Sequence, residues 1–147
     1  MLKLIRSRTE KGQRGEKGQA LLEFALLVPI FLMLLFAIVD FGMGFHSWIT
    51  VTNSAREGAR LGAVHATTDD IRDRVYATAT LINEDTNMEV LVTNATDAGG
   101  LPGESVVVQV DYDYDLITPL ASFVAFISGD IIGPTLTLSS TAEMRLE

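Results

Sequence analysis

The chain contains no cysteine. That excludes a disulfide staple and a thiolate metal site, although the absence alone does not identify a compartment. Lysine is missing after Lys17, and beyond Phe45 five arginines face fifteen Asp and Glu residues, a net of −10. A nucleic-acid surface wants a basic stripe, so this region argues against nucleic-acid binding and against attraction to anionic headgroups. Recognisable catalytic patterns are lacking too: no nucleophile elbow, no His-Glu zinc motif, no phosphate loop. His46 and His65 stand far apart without ligand spacing. The expectation is therefore a protein that is not an enzyme, with no catalytic residue, cofactor or metal. Finally, Phe24 to Val39 carries no charge at all.

That uncharged stretch lies in an apolar run from Ala20 to Phe45. A helix crosses ~30 Å of hydrocarbon with about 20 residues at ~1.5 Å each. Backbone polar groups in lipid must be satisfied within the segment, so a lone spanning run has to be helical. The run predicts one transmembrane helix over 19–45, with Glu23 and Asp40 near the two interfaces. Six basic and two acidic residues precede Gly18, a net of +4 on a short flank. The positive-inside rule puts that flank in the cytoplasm and the acidic remainder outside. A removable secretory signal is the ordinary alternative, but the run exceeds a typical h-region and no convincing A-x-A follows it.

Three regions follow: a basic, mostly unstructured leader (1–18), the span (19–45) and an extracytoplasmic domain (46–147). A domain of about 100 residues buries a modest core and is marginal alone. Pro29 removes one hydrogen bond within the span. Gly42 and Gly44 weaken its outer end by ~1 kcal/mol each and mark a candidate bend or unwound section. Asp40 beside them reads as an interfacial carboxylate reaching water.

The junction reads Lys17-Gly18-Gln19-Ala20-Leu21-Leu22-Glu23-Phe24. A carboxylate inside an otherwise apolar helix is costly, and Glu23 is either a snorkelling interfacial residue or a functional one. Gly18 followed by Gln19-Ala20 and Glu23-Phe24-Ala25 resembles the processing site of type IV pilin-like proteins. With Pro29, the stretch Ser54-Ala55-Arg56-Glu57-Gly58-Ala59-Arg60 and the ending Ala142 to Glu147, the chain is similar to TadE-like pseudopilins of tight-adherence (Tad) pilus systems. The resemblance covers the span and the next helix well and the later strands loosely.

It implies that a prepilin peptidase cuts between Gly18 and Gln19. It also implies that Glu23, with Phe24, docks in the membrane against the amine of a neighbouring subunit. An unpaired carboxylate there would cost several kcal/mol. The implied partners are the membrane, the peptidase, and other pilins or pseudopilins, self included. The implied place is the bacterial inner membrane, single-pass, N-terminus inside, with incorporation in an extracellular pilus as a further possibility.

Ser47 to Ala66 continues helical, with Trp48 suited to the outer interface. Ala55, Ala59, Gly62 and Ala66 recur at three- and four-residue steps, with Gly58 beside them, a stripe of small side chains that admits a close backbone. Arg56 and Arg60 share a face. This is either a packing face beside an exposed charged one or, through Ala55, Arg56, Gly58, Ala59, Arg60 and Gly62, a docking surface for a partner pseudopilin. Thr67-Thr68-Asp69-Asp70 starts a helix running to Leu81, with Ile71, Val75, Ala79 and Ile82 on one side. Strands are predicted at Met88–Thr93, Ser105–Asp115 and Thr135–Leu146.

In the second strand Val106, Val108, Val110, Tyr112 and Tyr114 face the long helix. Asp111, Asp113 and Asp115 face away, spaced ~7 Å apart, which suits a solvated face better than a calcium site. Leu116–Ile132 is apolar, with a short helix from about Pro119 to Ile127. Its Phe123 and Phe126 pack under the sheet, touch the outer leaflet or meet a neighbour. The fold class expected is α+β: a long N-terminal helix packed at its outer half against a small antiparallel sheet, pilin-like in outline. The function expected is a pseudopilin or minor pilin in Tad-type pilus assembly. The rivals are a major filament subunit and an uncleaved membrane-anchored binding module.

Overall fold

A computed structural model describes residues 3–80, 82, 87–129 and 135–147, with side chains from Gly18 onward except Ile127 and Ser128. Helix α1 is Lys3–Gly62, helix α2 Thr68–Thr78, strand β1 Met88–Thr93, strand β2 Ser105–Asp115, helix α3 Leu120–Ser128 and strand β3 Thr135–Arg145. A single 3-10 turn at Thr96–Ala98 interrupts the β1–β2 connection. The chain is α+β and divides into two compact units, Met1–Ile38 and Val39–Glu147.

The first unit is helical throughout its described residues. None of its side chains from Gly18 to Ile38 is buried, and Leu22, Phe24, Leu27, Ile30 and Phe31 are all more than half exposed. A soluble helix would hide such residues, so this one is apolar on every side, the pattern of a helix solvated by lipid. The leader, expected to lack structure, is helical from Lys3. Its physical reason is propagation. Once the apolar run has nucleated a helix, each residue added upstream gains a backbone hydrogen bond, and only Gly12 and Gly15 resist, by ~1 kcal/mol each.

The second unit holds the core. The three strands form an antiparallel sheet in the order β1-β2-β3, with Val90 opposite Val110 and Val110 opposite Ser140. Alternation along β2 sends Val106, Val108, Val110 and Tyr114 inward, with Tyr112 partly buried beside them. They meet Val51, Ala55 and Ala59 of α1, and Ile71, Val75 and Ala79 of the second helical segment. The buried residues of α1 recur at three- and four-residue steps (Ser47, Val51, Ser54, Ala55, Ala59), one stripe of a 3.6-residue helix. At the other end of β3, Leu146 is buried, whereas Leu136 is half exposed.

Helix α2 starts as its sequence demands. The Thr67 hydroxyl accepts from the Asp70 amide and the Asp70 carboxylate accepts from the Thr67 amide, a reciprocal capping box. Asp97 of the 3-10 turn adds a second tie, accepting from both the amide and the hydroxyl of Thr68 at 2.8 Å. These bonds to the charged form hold the Asp97 carboxyl below its ordinary range. The helix ends at Thr78, three residues before the expected end at Leu81, which lies outside the described residues. α1 ends at Gly62, short of Ala66, where His65 takes a left-handed conformation. Gly42 and Gly44 neither bend out nor unwind, for both lie within continuous α1. A Cβ at Gly44 would stand 3.5 Å from the Tyr114 ring, so the missing side chain lets that ring lie close to the helix.

Candidate functional site

Three places on the chain carry residues of functional interest. The first is the Gly18 junction. Gly18, Gln19, Glu23 and Phe24 all stand exposed on the helix, and a Cβ at Gly18 would meet nothing within 4 Å. The Gln19 side-chain amide donates to the Glu23 carboxylate at 3.2 Å, one helical turn away. Around this pair the helix offers only apolar side chains, so the carboxylate is the one charge of the surface from Leu21 to Val39.

The second place is the Arg-Glu-Gly-Ala-Arg stretch. Ala55 and Ala59 are wholly buried, and Gly58 and Gly62 lie against the chain's own sheet and α2. A Cβ at Gly58 would fall 2.5 Å from Val75 Cγ2, and one at Gly62 2.9 Å from Val106 Cγ2. The small residues thus let α2 and β2 approach α1, and the face expected to receive a partner is filled from within the molecule. Arg56 and Arg60 remain on the outside. Glu57 between them sits in a clamp: Arg60 grips both carboxylate oxygens, at 3.0 and 2.7 Å, while Arg74 of α2 donates to Oε1 at 2.5 Å. The two guanidinium groups pull the Glu57 carboxyl down to about 2, Arg60 contributing most. Glu57 therefore fastens α2 to α1.

The third place is Asp40, where the structure differs from the expected interfacial carboxylate. Asp40 is 2 % exposed and does not reach water. Its Oδ1 accepts from the amides of Ile117 and Thr118 at 3.0 and 3.1 Å, and its Oδ2 accepts from the Thr118 hydroxyl. Thr118 Oγ1 in turn accepts from the Leu120 amide at the start of α3, at 3.2 Å. The Tyr114 hydroxyl donates to the Asp40 carbonyl at 3.3 Å, and burial beside the Asp40 charge raises its pKa. Asp40 is thus a latch joining α1 to the β2–α3 connection. The available signal was a lone acid closing an apolar run, together with a Thr-Pro pair 78 residues later. Nothing in either stretch names the other.

Above the latch lies an apolar groove of about 280 Å³ between Phe41, Phe45 and Trp48 of α1 and Leu116, Leu120 and Leu136. Phe45 and Trp48 meet edge to face at 5.9 Å. On the far side of the sheet, Asp113 and Asp115 accept from the hydroxyls of Thr137 and Thr135 at 2.7 Å, their neighbours across the ladder. Among the described residues no group of three or more acids or histidines is placed to hold a metal ion.

Compared with protein families, residues 18–60 match the model described as TadE-like protein. Over that segment the chain is TadE-like. No curated protein and no solved structure matches the chain. The TadE-like segment opens at Gly18 and closes at Arg60, so it contains Gly18, Gln19, Glu23, Asp40, and Glu57 with Arg60, while Arg74 of the clamp lies beyond it. The TadE-like family is one of pilus-associated structural proteins, and the match to it covers residues 18–60. The segment overlaps the helix stretch long and apolar enough to cross a membrane, Gly18–Gly62.

Proposed function

We propose that this protein is a pseudopilin or minor pilin that works in the assembly of a Tad-type pilus. A prepilin peptidase would remove the basic leader between Gly18 and Gln19, leaving the apolar helix at the new N-terminus. The observation that supports this is the exposed, all-round apolar surface from Leu21 to Val39 with a single carboxylate, Glu23, one turn from Gln19. Helices of this kind associate laterally in lipid through shape and polar pairing. Among the described residues the carboxylate has a side-chain amide of its own helix beside it, whereas a neighbour's terminal amine would neutralise it. Leader removal would also release six basic residues that hold the helix against the cytoplasmic face. In this reading the span covers 19–45, the N-terminus faces the cytoplasm and the domain lies outside the bacterial inner membrane.

Arg56 and Arg60 are what the Arg-Glu-Gly-Ala-Arg stretch offers a neighbour, since its small residues serve the core. Mass spectrometry of the protein from native membranes and sheared filaments tests the proposal. The expected chain begins at Gln19. An intact Met1 in both fractions, or a start beyond residue 40, overturns it, and dominance of the chain in filaments would make it the major subunit.

A further inference from the structure

We infer that α3 and the groove beside it form a second membrane contact, a monotopic foot that seats the domain in the outer leaflet and takes lipid acyl chains. The inference rests on the reading of α1 as a membrane span. Residues 116–129 contain no charged side chain. Phe126 is 87 % exposed, and Phe123 and Ile117 also stand open, so these residues do not pack under the sheet. A free-standing helix of Leu, Phe, Val and Ala in water would expose this surface at a cost that a lipid interface removes.

The occupant follows from where the latch puts the helix. Ala20 to Val39 is 20 residues, about 30 Å of helix, which accounts for the hydrocarbon thickness. The outer interface then falls at Asp40, the next residue. Asp40 binds the amides of Ile117 and Thr118 and, through Thr118, the first turn of α3. The start of α3 is thereby fixed at the depth where hydrocarbon gives way to headgroups. Phe41, Phe45 and Trp48 line the same groove from α1, and of these Trp48, with an apolar body and a polar N–H, is the residue type that concentrates at the membrane interface. Among the described residues that line the groove, the one charged group is the Asp40 carboxylate, already engaged by the latch. A protein partner would be expected to meet polar groups at its edge; an acyl chain needs none.

Bromine quenching tests this on the full-length chain in phosphatidylcholine–phosphatidylglycerol vesicles. With Trp48→Phe as background, a tryptophan is introduced by Phe126→Trp, Phe123→Trp or, as the control within the span, Phe24→Trp. Position 126 is so exposed that its exchange leaves the core untouched. Brominated acyl chains are expected to quench positions 123 and 126 at least half as strongly as position 24, with aqueous acrylamide ineffective at all three. Quenching of 123 and 126 by acrylamide and not by bromine overturns the inference and leaves the span standing. Protection from both quenchers that disappears when the protein is diluted in lipid overturns it in favour of a second copy as the cover. Failure of bromine at position 24 refutes the membrane span itself, and the foot with it.

Discussion

Replacing Asp40 by alanine removes one carboxylate and strands three donors: the amides of Ile117 and Thr118 and the Thr118 hydroxyl. A buried donor left without a partner costs about 1–3 kcal/mol. Full burial does not apply throughout, because Ile117 is 63 % exposed and its amide can turn toward solvent. The expected loss is therefore about 2–4 kcal/mol of local stability, at the lower half of the summed range. At ~1.4 kcal/mol per decade this is a roughly 30- to 700-fold increase in the opening equilibrium of the 117–120 turn. Hydrogen–deuterium exchange of the full chain in lipid nanodiscs reads it directly. Peptides covering residues 116–126 should lose protection by that factor, while those covering 106–110, inside the sheet, should change little. Asp40→Asn keeps an oxygen for the two amides and should lose about 1 kcal/mol. If Asp40→Ala leaves exchange at 116–126 as in the parent, Asp40 does not hold the α3 connection and the depth argument for α3 fails.

Other consequences follow from the same packing. The Glu57 clamp has a pH signature: its carboxyl is lowered from 4.5 to about 2, so in that interval the unfolded chain binds more protons than the native one. Its contribution is present above about pH 4.5 and is lost as the pH falls toward 2; thermal unfolding against pH should show this for the parent and not for Glu57→Gln. Gly58→Ala sets a helix gain of ~1 kcal/mol against overpacking of about 1–3 kcal/mol where the new Cβ meets Val75 Cγ2. A net loss of about 1 kcal/mol is expected in denaturant unfolding, partly restored when Val75→Ala vacates the clash. Gly100→Ala should be worse, because the new Cβ would sit 2.1 Å from the Asn94 carbonyl oxygen, backbone that cannot step aside; proteolysis of the β1–β2 connection reports the damage. Phe126→Ser should leave unfolding unchanged, since that ring touches little of its own chain.

The periodic features are legible in the chain itself. The strands β1 and β2 fall on the expected residues, because alternation over six and eleven residues and the flanking Asp, Gly and Pro turns are local signals. The α2 start is local too, its capping box contained within four residues. So is the apolar stretch from Ala20, whose length and lack of charge require nothing distant. What local pattern left open was decided by contact. The spacing of Ala55, Gly58, Ala59 and Gly62 announced a close approach without saying whose backbone approached. The fold supplies the chain's own β2 and α2, since Val106 and Val75 need that room.

Asp40 shows the same division most plainly. A carboxylate ending an apolar run is cheap in water and cheap among amides, and its sequence neighbours are identical in both cases. Only when β2 runs back along the helix and delivers Ile117 and Thr118, 77 and 78 residues away, does the amide alternative exist. The sequence by itself determined that an apolar helix leads into an acidic α+β unit, because periodicity and charge are properties of the chain. Tertiary structure alone decided which face is core and where α3 is tied, because a hydrogen bond or a packed methyl depends on which distant residue arrives to meet it.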